Sequence, residues 1–153
     1  VILTAARSGE VRMARWDELD GERWIVPAER MKAGRDHVVP LTPPALAIVE
    51  AMPRLEGSPY IFSGARGGPM SDMSLSAILR RMELPATVHG FRSTFRDWAA
   101  ETTAHPHEVI EMALAHAVAD KVERAYRRGD LYEKRKQLMA DWADYLDGNS
   151  SSG

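Results

Sequence analysis

His89 and Arg92 stand three residues apart at the front of the stretch 88–100, so in a helix they share one face. An imidazole that exchanges a proton near neutral pH then sits beside a guanidinium that is always charged. That pair suits an anionic group that must be held while a proton moves. Taken alone it also reads as a surface helix with a capping histidine and a solvated arginine. Four further side chains could take part: Arg7, Lys32, His116 and Tyr126. Each has an ordinary reading of its own. Arg7 is a loop arginine, Lys32 a solubilising charge at a hairpin tip, His116 a helix-end histidine and Tyr126 a half-buried packing residue. His105-Pro106-His107 shows no ordered carboxylate partner, so no metal site is expected there.

The elements that must position these side chains follow from the hydrophobic pattern. Residues 1–16 read as helical with a break near Arg7-Ser8-Gly9, where Ser8 is a plausible cap and Glu10 suits the positive first turn. Residues 17–21 read as a turn. The runs 23–27 and 36–41 are β-prone and form a hairpin, with Lys32-Ala33-Gly34-Arg35 near its tip. Thr42-Pro43-Pro44 opens a helix that runs to Met52. Tyr60-Ile61-Phe62 is a short strand or an extended core segment, and 63–69 a glycine-rich loop without the Gly-Lys-Ser/Thr ending of a phosphate loop. Ser71 or Asp72 caps a helix running to about Met82. In the stretch 88–100, Val88, Phe91, Phe95, Trp98 and Ala99 recur at three- and four-residue steps, so one stripe enters a core. Helices are then expected over 107–115, ending at His116, over 119–128, and over 131–146 with a stripe of Leu131, Leu138, Met139, Trp142 and Leu146.

Composition narrows the classes. A chain of 153 residues with 44% hydrophobic and 27% charged residues fits one ordinary globular domain. It contains no cysteine, which excludes disulfides, thiolate catalysis and cysteine-based zinc sites. No apolar run is long enough for a membrane helix. The net charge of −2 carries no overall sign of nucleic-acid binding. Residues 121–136, however, hold seven basic and three acidic side chains, a local charge of +4, so a basic surface is expected there. The apolar start, without methionine or signal pattern, reads as the continuation of a longer helix, and 149–153 as a disordered tail.

The order of the local phrases adds more than any one of them. Thr4-Ala5-Ala6-Arg7-Ser8-Gly9-Glu10, Lys32 on its hairpin, His89-Gly90-Phe91-Arg92, Leu114-Ala115-His116 and Tyr126 follow one another in sequence. With Pro27-Ala28-Glu29-Arg30-Met31-Lys32, Lys121-Val122-Glu123-Arg124-Ala125-Tyr126 and Trp142-Ala143-Asp144-Tyr145-Leu146, this resembles the tyrosine recombinases, most of all the prophage-type integrases. Two features depart from many members: Leu-Ala-His replaces Leu-Gly-His, and the interval from His116 to Tyr126 is one residue longer. Prophage-type members share both.

The resemblance implies a mostly helical α+β fold with a small antiparallel β-sheet, the tyrosine recombinase catalytic domain, over residues 1–148 and truncated at its N-terminus. It implies a site-specific recombinase that cleaves and rejoins double-stranded DNA at attachment sites through a 3′-phosphotyrosyl bond at Tyr126. In that scheme Arg7 and Arg92 clamp the nonbridging oxygens, His116 adds a donor, His89 helps deprotonate Tyr126 and Lys32 protonates the departing 5′ oxygen. Glu10 and Asp97 orient arginines. Neither cofactor nor metal is required. A homotetramer on DNA, accessory DNA-bending proteins and a cytoplasmic, nucleoid-associated setting are expected, with no membrane. The last helix docks either on its own domain or on a neighbour. Two rival readings share the residues: a catalytically silent DNA-binding remnant, and a type IB topoisomerase-like enzyme that relaxes DNA.

Overall fold

The computed structural model describes residues 1–117 and 131–148. Its elements, in chain order, are α1 (Ser8–Arg12), β1 (Leu19–Asp20), β2 (Arg23–Val26), β3 (His37–Pro40), α2 (Pro43–Glu50), α3 (Ser74–Arg81), α4 (Gly90–Thr102), α5 (His107–Ala113) and α6 (Tyr132–Leu146). The strands form one antiparallel sheet in the order β1-β2-β3. The architecture is thus the expected α+β one, mostly helical with a small sheet.

The expected hairpin is β2 and β3, with Val26 opposite His37. Trp24 and Val26 are buried while Arg23 is exposed, the alternation of a strand with one face on a core. The expected turn at 17–21 is instead a 3₁₀ turn, Trp16–Glu18, followed by β1, whose Leu19 pairs with Trp24. Residues 2–5 form a turn rather than a helix, because Ala5 adopts a left-handed φ of 50° that helical propagation forbids. Arg7, not Ser8, is then the N-cap of α1. Thr42 stands at the N-cap of α2, yet its hydroxyl is buried without a partner among the described residues; Pro44 at the second helical position offers no N–H. Met73 is the N-cap of α3, while the Ser71 hydroxyl meets that of Ser74 at 3.0 Å. The extended reading of residues 60–62 holds: the Ile61 N–H donates to the Ala14 carbonyl at 2.9 Å.

Two hydrophobic cores lie side by side. One joins α4, α5 and α6 through Phe95, Ala99, Val109, Ile110, Leu114, Leu138, Met139 and Trp142, with Ala5 among them. Phe95 and Trp142 meet edge to face at 5.3 Å between ring centroids. The other joins the sheet to α2 through Trp24, Val26, Val39, Leu41 and Ala45, with Ala6 and Ile61. At two places in the described residues, immediate chain neighbours fall on opposite sides of the seam between them. Ala5 belongs to the helical core and Ala6 to the sheet core; Leu114 is in the helical core and Ala115 packs on the sheet core. At both crossings a non-glycine residue takes a left-handed φ, 50° at Ala5 and 53° at Ala115.

The stripe expected on α6 is present at Leu138, Met139 and Trp142, whereas Leu146 is exposed. Arg135, counted above toward a basic surface, is fully buried and donates to the Val38 carbonyl at 2.6 Å. Lys136 pairs with Glu22 at 2.8 Å. Lys121, Arg124, Arg127 and Arg128 of that surface, together with the helix expected over 119–128 and the tail, lie outside the described residues. A wide apolar cleft bordered by Leu3, Val49, Phe62, Ile78, Met82 and Phe91 opens beside the sheet core, and it contains none of the candidate catalytic residues. Among the described residues no helix is long and apolar enough to cross a membrane.

Candidate active site

Arg7 and Arg92 meet at the seam. Arg7 follows Ala6 immediately, so the first crossing delivers its side chain to the boundary of the two cores. Glu10, buried in the first turn of α1, accepts from the Arg7 backbone N–H at 3.0 Å and from the Arg7 guanidinium at 2.9 Å. A carboxylate three residues into a helix that reaches back to the N-cap N–H is half of a capping box. Here the same carboxylate also fixes the arginine head. Glu10 thus orients Arg7, as the sequence suggested, with about a third of the arginine side chain left exposed.

Arg92 is only 5% exposed and comes from the first turn of α4. Its Nη1 donates to the Ala5 carbonyl and its Nη2 to the Leu114 carbonyl at 2.7 Å. One guanidinium therefore closes both seam crossings. Among the described residues no carboxylate lies within ion-pair distance of it, although Glu10 acts on it through space. Burial, and then the like charge of Arg7, push the Arg92 guanidinium below its ordinary pKa, countered in part by Glu10. A buried cation with hydrogen bonds but no bonded counter-charge favours an anion at its open side.

His116 arrives through the end of α5. The helix closes with its His116 N–H on the Glu111 carbonyl at 2.9 Å and its Ala115 N–H on the Met112 carbonyl at 3.0 Å. This is a Schellman arrangement, with Ala115 in the left-handed position that glycine usually holds. The same turn brings the side chains of Glu111 and His116 together, with Oε2 and Nδ1 2.7 Å apart. The other imidazole nitrogen, Nε2, then lies 3.4 Å from Arg92 Nη2. Glu111 also accepts from Arg96 Nε at 2.6 Å. Burial pushes the Glu111 carboxyl up, but the hydrogen bonds from Arg96 and His116 outweigh it and hold the group below its ordinary value.

The structure thus brings Arg7, Arg92 and His116 together. Among the described residues it joins neither His89 nor Lys32 to them by hydrogen bonds. His89 is the N-cap of α4 and is exposed, while Arg92 turns inward, so the shared face expected for the pair divides at the protein surface. Lys32 is exposed near the hairpin tip, without a hydrogen-bond or ion-pair partner among the described residues. Tyr126 lies outside the described residues. Asp97 is exposed on α4 and bonds neither arginine; the carboxylate that organises this side of the site is Glu111, which the sequence reading passed over inside a largely apolar helix. His37 was also passed over. It lies on β3, where burial and then Arg135, with smaller effects from Arg7 and Arg92, lower its pKa to about 4 against a hydrogen bond with the Ala113 backbone. The imidazole at 105, expected to lack a carboxylate, meets Asp141 of α6 at 2.6 Å. Among the described residues no group of three potential metal ligands forms.

Comparison with known proteins gives this geometry its family. The phage integrase family model matches residues 1–131. The chain is 41% identical, over 95% of its length, to the prophage integrase IntA of Escherichia coli (strain K12). It is 35% identical over 96% to the prophage integrase IntZ of the same strain, and 31% identical over 97% to the integrase of Enterobacteria phage P4. It spans 37% of the first of these proteins, 38% of the second and 39% of the third, so the alignment covers about two fifths of such a relative. No solved structure matches the chain. On the family match over most of its length, and on relatives that are integrases, the chain belongs to the phage integrase family.

Proposed function

We propose that the chain is the catalytic domain of a site-specific recombinase that cuts and rejoins double-stranded DNA through Tyr126. The observation that carries the reading is the pair Arg7 and Arg92 at the seam, one of them buried without a bonded carboxylate among the described residues, beside the Glu111-held His116. Attack by the Tyr126 oxygen on a scissile phosphate forms a phosphorus–oxygen bond and breaks the bond to the 5′ oxygen. The tyrosine proton passes to His89, and Lys32 gives a proton to the departing oxygen. Charge grows on the nonbridging oxygens, where Arg7 and Arg92 supply planar paired donors and His116 a third. Two fixed guanidiniums provide the positive charge that a metal ion would otherwise supply, and the phosphotyrosyl bond conserves the energy needed for rejoining. Strand exchange needs four such sites, so a homotetramer on attachment-site DNA, shaped by DNA-bending partners, belongs to this reading.

The test is covalent capture. Incubated with nicked attachment-site DNA, the protein gives a protein–DNA band that survives denaturing electrophoresis, and Tyr126→Phe removes that band while leaving DNA affinity nearly unchanged. A band that persists in Tyr126→Phe refutes the nucleophile. No band with the unaltered protein, alongside retained DNA binding, favours a silent DNA-binding remnant. Relaxation of supercoiled DNA without joining of two sites favours a topoisomerase.

A further inference from the structure

The hairpin that carries Lys32 is held to the arginine side of the site by one side chain the mechanism does not use. Arg30 ends a 3₁₀ turn, Ala28–Arg30, two residues before Lys32. Its guanidinium, 19% exposed, reaches back under the sheet. Nη2 donates to both carboxylate oxygens of Glu18, and Nη1 donates to the Glu10 carbonyl at 3.0 Å. Glu10 is the residue whose carboxylate grips Arg7. Glu18 is itself fixed, accepting from the Trp24 indole at 2.9 Å and from the Arg15 backbone N–H at 3.2 Å. Beyond Arg30, Met31 is buried in the sheet core and Lys32 is exposed. Across the base of the loop, the Ala28 N–H donates to Asp36 Oδ1 at 2.9 Å.

A lysine on a ten-residue connection would otherwise sample many positions, and a proton donor misplaced by about 1 Å costs on the order of 10²-fold in rate. We propose that Arg30 is a positioning residue: by bonding Glu18 and the Glu10 backbone together, it sets the base of the Lys32 loop in the same frame as Arg7. The leaving-group acid and the Arg7 half of the phosphate clamp then share one support, α1. The proposal rests on the reading of Lys32 as the leaving-group acid. Lysine at position 30 would keep the charge beside Glu18, yet a single ammonium does not span Glu18 and the Glu10 carbonyl as a guanidinium does.

A purely structural arginine and a positioning one differ in what rescues their loss. In ordinary DNA the 5′ oxygen must take a proton as the phosphorus–oxygen bond breaks. In DNA with sulfur at that bridging position the leaving group is a thiolate, whose conjugate acid has a pKa of about 8.5 by analogy with cysteine, and it departs unprotonated. Single-turnover adduct formation is measured at saturating DNA for the unaltered protein, Arg30→Lys, Lys32→Ala and the double variant. Arg30→Lys is expected to slow cleavage of ordinary DNA roughly tenfold or more, and by less than about twofold on the sulfur substrate, as a misplaced proton donor should. In the Lys32→Ala background Arg30→Lys should cost nothing further on ordinary DNA. Because removing Arg30 outright strands the Glu18 carboxylate, a second variant, Arg30→Met with Glu18→Gln, removes both charges and should behave like Arg30→Lys. If sulfur rescues Lys32→Ala but neither Arg30 variant, Arg30 only holds the fold and the proposal is overturned. If sulfur fails to rescue Lys32→Ala, the assignment of the acid itself fails, and the proposal with it.

Discussion

Among the described residues three helix C-termini are followed by a left-handed residue, and only one of these is a glycine. α6 is followed by Gly148 at φ 75°, but α3 is followed by Glu83 and α5 by Ala115, both at φ 53°. The bonding is the same at both non-glycine ends. Leu84 N–H donates to the Leu79 carbonyl at 3.1 Å and Glu83 N–H to Arg80 at 3.1 Å, matching the His116 and Ala115 bonds of α5. A left-handed L-residue costs roughly 1–2 kcal/mol, and glycine returns part of that gain, about 0.5–1 kcal/mol, as extra freedom in the unfolded chain. Glu83 is exposed, so Glu83→Gly should stabilise by the difference, about 0.5–1 kcal/mol. Ala115 packs on the sheet core, and a fully buried methyl is worth about 0.8 kcal/mol. Its half-buried methyl takes back about half of that, so Ala115→Gly should gain no more than about 0.5 kcal/mol. At about 2–4 °C per kcal/mol for a domain of this size, Glu83→Gly raises Tm by about 1–4 °C and Ala115→Gly by less than about 2 °C. Thermal unfolding followed by circular dichroism measures both. If Glu83→Gly lowers Tm, or Ala115→Gly raises it more than Glu83→Gly does, strain at the left-handed cap is not what governs these positions.

His37 makes stability depend on pH in a stated direction. Its folded pKa of about 4 lies below the ordinary 6.5, so the unfolded chain binds the extra proton between these values, and stability is complete above pH 6.5 and falls as the pH drops toward 4. Urea unfolding should show the unaltered protein losing about 2–3 kcal/mol more than His37→Gln between pH 7 and pH 4.5, and equal losses would reject the assignment. Arg92→Lys keeps a charge but cannot bond the Ala5 and Leu114 carbonyls together. One buried acceptor is left unpaired at roughly 1–3 kcal/mol, so Tm should fall by several degrees even without DNA, and an unchanged Tm would show that the carbonyl contacts are dispensable.

Periodicity made the helices and the hairpin legible because they follow a single core each. β2 alternates, and Phe95 and Ala99 of α4 recur at a helical step, so local sequence and tertiary burial agree. The seam was not legible for the opposite reason. Ala5-Ala6 and Leu114-Ala115 look like helix continuations, since alanine and leucine favour helix; only the packing of two cores forces Ala5 and Ala115 into the left-handed region. Pattern reading also sends every arginine to solvent, which misplaced Arg135 and hid the burial of Arg92. Glu111 carried one usable signal, a carboxylate five residues before His116 across a helix end. That spacing brings side chains together only when the helix closes with a left-handed residue, and alanine does not announce one.

The seam also separates what the fold requires from what chemistry requires. Arg92 bonds the carbonyl of each crossing, Ala5 and Leu114, so a DNA-binding remnant without activity would need it as much as an enzyme does. Arg92 by itself therefore does not separate those readings; its pairing with Arg7 beside the Glu111-held His116 carries the proposed recombinase. Lys32 is different. It stands exposed, without a partner among the described residues, near the tip of a loop whose base is tied by the half-buried Arg30 guanidinium to the helix that follows Arg7. Packing accounts for the burial of Met31 and the counter-charge to Glu18, but not for an exposed amine one residue further on. In the proposed reaction Arg7 holds a phosphate at the start of α1 while the loop tied to the Glu10 carbonyl delivers a proton, so Lys32 and its tether add to what the arginine pair and His116 carry.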